Sequence, residues 1–384
     1  MTNDAGPAVY LSSGWMVWLR LNVLKGERSS LWGELMAQRL DIRSAQLTGE
    51  PVQIAARVGD FAASPSGILV YKSARIGGQR QLTWFDRSGT ELGTVGEADD
   101  TLNAPRVAPD GHRVVVSRSV LGNRDLWLLE GARASRLTFG AGDETFSAWS
   151  PDGSRITFAS GAAGNLDLYE VQANGAGGEK QLTKGDPGAY PSGWSSDGRY
   201  LLYFSANSSS AHINVLSRVG DQKPRVFLQS SFIQVWGQFS PDMRWVAYQS
   251  DESGRYEVYV RPFHPSDLRD EKTGSNGDGA QWLVSTAGGV APMWSANGKE
   301  LYYLNPKGDL MATSVSAAGS AFAAGTPVRL FEPHVWNGGT DNQTGRQYDV
   351  APDGRFLINR TRDTDSMLAV TLLQNWDPTV SAHE

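Results

Sequence analysis

The sequence predicts an all-β chain folded as a β-propeller of four-stranded antiparallel blades, and three observations predict it. One phrase recurs: a short strand, a turn of the type Pro-Asp-Gly, then a strongly apolar strand. It reads FSAWSPDGSRITFAS from Phe146, PSGWSSDGRYLLYFS from Pro191 and WGQFSPDMRWVAYQS from Trp236. Its central turn residues, Ser13, Ser66, Asp110, Asp152, Asp197, Asp242, Asn297 and Asp353, stand 42 to 56 residues apart. No helix of any length fits between the turns. Four short strands in a unit of about 40 to 45 residues is the periodicity of propeller blades.

Each part of the unit has a physical reason. In the turn, Pro presets φ, Asp bonds its own backbone and Gly accepts positive φ. Met243 stands where the sixth copy should have that glycine, so a left-handed conformation there costs roughly 1 kcal/mol. An aromatic residue precedes the turn in Trp149, Trp194, Phe239 and Trp294, and is expected to pack between blades. A third strand follows, such as QLTWFD from Gln81, DLWLLE from Asp125, DLYEV from Asp167, EVYVRPF from Glu257 and MLAVTLL from Met367. A fourth, such as SRLT, KQLT or QWLVS, closes most units.

Counting the phrase gives eight blades in one domain, 1–384, with units at about 7–56, 57–98, 99–140, 141–185, 186–230, 231–287, 288–332 and 344–376. Seven blades are the alternative, if the eroded first copy LSSGWMVWLRL forms none of its own. The last unit has no room for a fourth strand after LLQNW, and Met1–Gly6 is too short and polar to supply one. The expectation is an incomplete last blade, a ring left unclosed, and a chain that is a fragment, or a shortened relative, of a longer polypeptide.

Composition narrows the function. Lys+Arg number 35 and Asp+Glu 41, a net charge of −6 with no basic cluster. A nucleic-acid surface needs a basic stripe, so none is expected. There is no cysteine, hence no disulfide, thiolate metal site or cysteine nucleophile. Arg20 interrupts the one apolar patch near the N-terminus and no cleavage site follows, so no signal peptide is read there. No apolar run reaches the roughly 18 to 20 residues that span a bilayer, so direct membrane insertion is not expected.

Phrases such as QLTWFDRSGTELGTVG, SGRYEVYVRPF, MWSANGKELYYL and YDVAPDGRFLINR resemble the TolB-like, WD-repeat-like propellers of bacteria. More narrowly they resemble the propeller that follows the kinase and membrane segment of bacterial Ser/Thr protein kinases of eukaryotic type. The resemblance runs from about Gly6 to Trp376. It implies a sensing or interaction module, extracytoplasmic or periplasmic within a longer membrane-anchored protein and cytoplasmic if expressed alone. The chain itself has no kinase signature: the nearest string, GNRDLW from Gly122, is a loop before a blade strand.

The search for chemistry finds little. GWSSDG, from Gly193, has the wrong spacing for a serine-hydrolase elbow. His112, His212, His264, His334 and His383 are scattered without paired spacing, so no metal site or cofactor is expected. Asp125, Asp167, Glu257 and Asp309 recur at the start of the third strand, and recurrence at one unit position reads as structural, such as bonding a loop backbone. The irregular segment PHVWNGGTDNQTGRQ, from Pro333, puts an aromatic in a polar loop, a reasonable contact element. The expected function is a non-enzymatic module that binds a protein, peptide or small ligand through channel-side loops, including those at Ser73–Arg80 and Ser205–His212. Its candidate ligand-binding residues are Trp336, Asn337, Arg118 and His212, with no catalytic residue. The alternative is a propeller hydrolase or lyase using carboxylates or a metal in the channel.

Overall fold

All eight copies of the phrase fold as hairpins with one and the same turn bond. In each, the residue after the central turn residue donates its N–H to the carbonyl three positions back: Gly14 to Leu11, Gly67 to Ser64, Gly111 to Ala108, Gly153 to Ser150, Gly198 to Ser195, Met243 to Ser240, Gly298 to Ser295 and Gly354 to Ala351. Met243 adopts φ 59°, the left-handed conformation expected of that position. In four copies the leading serine staples the turn. The hydroxyls of Ser150, Ser195, Ser240 and Ser295 donate to Asp152, Asp197, Asp242 and Asn297 and accept the N–H five residues on. The Ser150 hydroxyl and the Ser154 N–H hold the Asp152 carboxyl down at about 2.

The computed structural model describes residues 5–21, 33–64, 67–73, 79–120, 123–162, 164–185, 188–207, 210–268, 279–319, 321–336, 345–362, 370–373 and 376. The fold is all-β, in antiparallel sheets mostly of four strands, with one short 3-10 turn at Pro265–Asp267. The chain divides into two compact units, one of 1–78 with 363–384 and one of 79–362.

The first unit is a single six-stranded sheet, in order Ala5–Leu11, Trp15–Leu21, Gly33–Asp41, Gln46–Ala63, Leu69–Ser73 and Val370–Leu373. Leu11, Trp15, Val17, Leu35, Val58 and Leu69 form its core, and Trp376 meets Trp15 edge to face at 5.9 Å. The first two hairpins therefore share one sheet instead of forming a blade each.

The second unit is a ring of six blades. Blade one holds Asn103–Val107, Arg113–Val120, Asn123–Glu130 and Arg133–Arg136, from inner to outer strand. Blade two runs Glu144–Trp149, Arg155–Ser160, Asp167–Gln172 and Lys180–Gln181; blade three Ala189–Trp194, Tyr200–Ala206, Ala211–Ser217 and Pro224–Leu228. Blade four is Gln234–Phe239, Trp245–Ser250, Glu257–Pro262 and Trp282–Leu283. Blade five is Val290–Trp294, Glu300–Leu304 and Leu310–Ala318, the last of which pairs with both Ala321–Ala324 and Val328–Phe331.

The closing blade corrects the expectation of an unclosed ring. Its inner strands, Tyr348–Val350 and Phe356–Thr361, come from the last hairpin, and its outer strands, Arg80–Phe85 and Glu91–Asp99, from the other end of the unit. Phe356 pairs with Phe85 and Thr361 with Arg80. Predicted units 57–98 and 344–376 have thus exchanged their outer halves. Burial explains the exchange. The run Arg80–Phe85 is buried at every position after the first and fits between two blades. Val370–Leu373 alternates between exposed and half-buried, a pattern suited to an edge strand, and pairs with Leu69–Ser73.

Apolar clusters join the blades around the ring. Leu82, Trp84 and Leu357 of the closing blade meet Val114, Val116 and Leu129 of blade one. Val115 and Leu126 then meet Trp149, Ile156 and Phe158 of blade two. The remaining joints are Leu168 to Leu201 and Tyr203, Leu202 and Ile213 to Phe239 and Tyr248, Trp245 and Val258 to Trp294 and Leu301, and Tyr302 and Leu304 back to Phe356 and Ile358. The pre-turn aromatics lie in these joints, as expected. Alternate residues of each second strand face opposite neighbours, which is why those strands read as continuous apolar runs.

Candidate functional site

Strand register sorts the second unit into two faces. The phrase turns lie on one. The other, here the loop face, carries the start of each inner strand and the junction of the second and third strands: Glu144 pairs with Ser160, and Ser160 with Asp167. The three described candidates lie on the loop face. Arg118 pairs with Asp125 at the third-strand start of blade one. His212 pairs with Ser205 at the equivalent place in blade three. Trp336 follows Val335, which bridges Arg360 near the end of the closing blade's second strand. Asn337 lies outside the described residues, as do parts of the Ser73–Arg80 and Ser205–His212 loops.

Two of these residues are brought together through partners that the sequence did not single out. The Arg80 guanidinium lies 3.4 Å from the Trp336 ring centroid and donates to the Leu102 carbonyl at 2.6 Å. Arg80 pairs across the sheet with Asp99, and Arg118 Nε donates to the Asp99 carboxylate at 2.5 Å while its guanidinium covers Trp127 at 4.9 Å. Burial works against the Asp99 carboxylate, but the Thr101 contacts and Arg118 outweigh it and hold its pKa below the ordinary value. On the next loop Arg136 covers Phe139 at 4.9 Å. The loop face therefore presents three arginine–aromatic pairs on adjoining blades. His212 stands apart, on blade three.

The recurring third-strand acids are structural in the described residues. Glu257 accepts the Gly288 N–H at 2.9 Å, the Ser285 hydroxyl at 2.5 Å and Arg255 Nε at 2.7 Å. Asp125 pairs with Arg136 at 2.8 Å, Asp309 with Arg329 at 2.7 Å, and Asp167 accepts the Thr183 hydroxyl at 3.3 Å. Among the described residues only Glu257 bonds a loop backbone; the others hold side chains. Among the described residues no group of three His, Cys, Asp or Glu could hold a metal ion.

The middle of the ring is built from polar residues that the sequence reading passed over. Arg346, 1% exposed, precedes the inner strand of the closing blade and reaches across to blades three and four. Its Nη1 donates to the Ser192 carbonyl at 3.3 Å and its Nη2 to the Trp236 carbonyl at 2.5 Å. Arg106 of blade one donates from Nε to the Ser147 carbonyl at 3.2 Å. Asp349 lies 3.7 Å from Arg106 Nη1 and accepts the Val107 N–H at 2.7 Å. Burial pushes Arg346 down and Asp349 up, and the Arg106 charge pushes Arg346 down further. Inner strands are sheet edges whose carbonyls have no neighbouring strand, and the arginines supply the missing donors. Ala104, Phe146, Trp236 and Ala291 share one inner-strand position and positive φ, from 47° to 59°. The available signal was a charge, Arg106, Glu144 or Asp349, inside strands that otherwise read as apolar.

Glu144 opens the inner strand of blade two. It is fully buried, and among the described residues neither carboxylate oxygen makes a well-formed hydrogen bond. Burial pushes its carboxyl up to about 7; the Thr138 hydroxyl opposes the shift, and the Glu179 and Asp125 charges add to it.

The comparisons agree with this architecture. Residues 76–260 match the family described as TolB beta propeller domain. No curated protein matches the chain. A protein assigned as TolB from Agrobacterium tumefaciens superposes with a TM-score of 0.53 at 16% identity, over 74% of this chain and 98% of that one. TolB from Acinetobacter baumannii superposes with a TM-score of 0.48 at 14% identity, over 86% and 88%. The periplasmic gluconolactonase of Pseudomonas aeruginosa gives 0.44 at 15% identity, over 83% and 97%. The fold of this chain is that of a TolB-like, WD-repeat-like bacterial β-propeller.

Proposed function

We propose that the six-bladed unit is a non-enzymatic interaction module that docks a protein or peptide partner on its loop face. The observation that carries this reading is the clustering of Arg80 with Trp336, Arg118 with Trp127 and Arg136 with Phe139 on adjoining blades. Aromatic and arginine side chains dominate binding energy at protein interfaces. Exposure adds an apolar anchor to this face: Phe139 is 71% exposed, and Phe232 and Val120 are exposed beside it on the loop side. Catalysis by the buried carboxylates is disfavoured, because Glu144 is closed off from any substrate and Asp349 is engaged by Arg106 and Val107. The narrower reading, an extracytoplasmic sensor within a longer signalling or envelope protein of the kinase-associated kind, draws its support from the sequence phrases.

Site-specific crosslinking in cells tests both readings. A photoreactive residue at Phe139 should capture a discrete partner, and one at exposed Arg199 on the turn face should not. Arg118→Ala should weaken capture at Phe139. Blots of soluble and membrane fractions should show the uncrosslinked protein in the membrane, well above the 41.6 kDa of this chain. Equal capture at both positions, or none, would sink the docking reading. A soluble band at the chain's own mass would sink the longer-protein reading.

A further inference from the structure

Among the described residues, buried charge in the middle of the ring does not balance. Arg346 and Arg106 are 1% and 7% exposed and Asp349 is 5% exposed, so two guanidinium groups share one carboxylate. The carbonyls of Ser192, Trp236 and Ser147 give these arginines dipoles, not negative charge. Among the described residues Arg346 Nε and Arg106 Nη1 have no hydrogen-bond partner. A guanidinium keeps its proton in a protein, so both arginines carry their positive charge in the buried middle of the ring. An uncompensated buried charge is among the most costly features a fold can hold.

We propose that the centre of the ring binds one small monovalent anion, a halide or a short carboxylate, against Arg346 Nε and Arg106 Nη1. One negative charge makes the cluster of Arg346, Arg106 and Asp349 neutral, which a dianion would overshoot. The backbone next to Arg346 is closely packed. A methyl group on Gly345 would lie 2.8 Å from the Phe146 ring and 3.3 Å from Ala104 Cβ, so the backbone beside Arg346 is packed against blades one and two. The site is independent of whatever the loop face binds.

Thermal unfolding of the full chain tests this at constant ionic strength, with sodium gluconate exchanged stepwise for chloride or formate. Both small anions should raise Tm saturably, by roughly 5 °C at a hundredfold excess over the dissociation constant. Gluconate is too large to enter and should not. Arg346→Met should lose the anion-dependent increment. The same rise in that variant, or equal Tm in all three salts, would overturn the proposal. Should Arg346→Met fail to fold, crystals of the unaltered chain in sodium bromide decide. An anomalous peak beside Arg346 Nε and Arg106 Nη1 supports the site, and its absence refutes it.

Discussion

Glu144 gives the residue scale its clearest consequence. Its carboxyl titrates near 7 in the native protein against an ordinary value of 4.5. Between those values the folded chain holds a proton that the unfolded chain has released. Stability must therefore fall as pH rises through this window and level off above it. Glu144→Gln should remove that slope, leaving stability near pH 5 unchanged and raising it at pH 8 by about 1 to 3 kcal/mol. Urea unfolding of both proteins between pH 5 and 8 measures the effect, and an unchanged slope in the variant would assign the titration elsewhere. Single residues were the least legible part of the sequence. Trp336 drew attention because an aromatic in a polar loop is locally visible. Arg80 and Asp99, which connect it to Arg118, come from strands that meet only through pairing. Arg346 reads as one more loop arginine until the ring places it opposite Ser192 and Trp236.

At the scale of the element, a clasp repeats between the third and fourth strands. A hydroxyl just beyond the fourth strand accepts the N–H that follows the third-strand acid: Thr138 from Leu126, Thr183 from Leu168 and Ser285 from Val258. In the last two the same hydroxyl donates to the acid, Asp167 or Glu257. The outer strands of these blades are only two residues long in blades two and four, so this bond does much of the tying. Ser285→Ala leaves a buried N–H unpaired and takes a donor from buried Glu257. It should cost about 2 kcal/mol, read as a lower urea midpoint with an unchanged m-value, and a loss within error of zero would show that the clasp is incidental. Elements of this kind were legible because their signals are local. The turn residues are adjacent in sequence, and the acids and hydroxyls recur at fixed unit positions.

For the whole molecule, sequence order was a good guide to pairing within blades one to four and a misleading one at the ends. A strand with two edges does not record which neighbour it will take. The sequence reading paired Leu69–Ser73 with the strand after it, and the last hairpin with the segment from Met367. In the structure Arg80–Phe85 joins Phe356–Thr361, and that pairing closes the ring, sets Arg80 beside Trp336 and Asp99, and so brings together the residues of the proposed loop-face site. Because the chain has no cysteine, one engineered pair reports on this closure without background. Cysteines at positions 80 and 361 face each other across the closing blade. In folded Arg80→Cys/Thr361→Cys protein, mild oxidation should give a disulfide that shifts migration on a non-reducing gel, as the Lys72→Cys/Val370→Cys pair should across the edge of the first unit. If the 80/361 pair stays reduced while the protein is folded, the ring does not close through these strands and the site built on them does not exist.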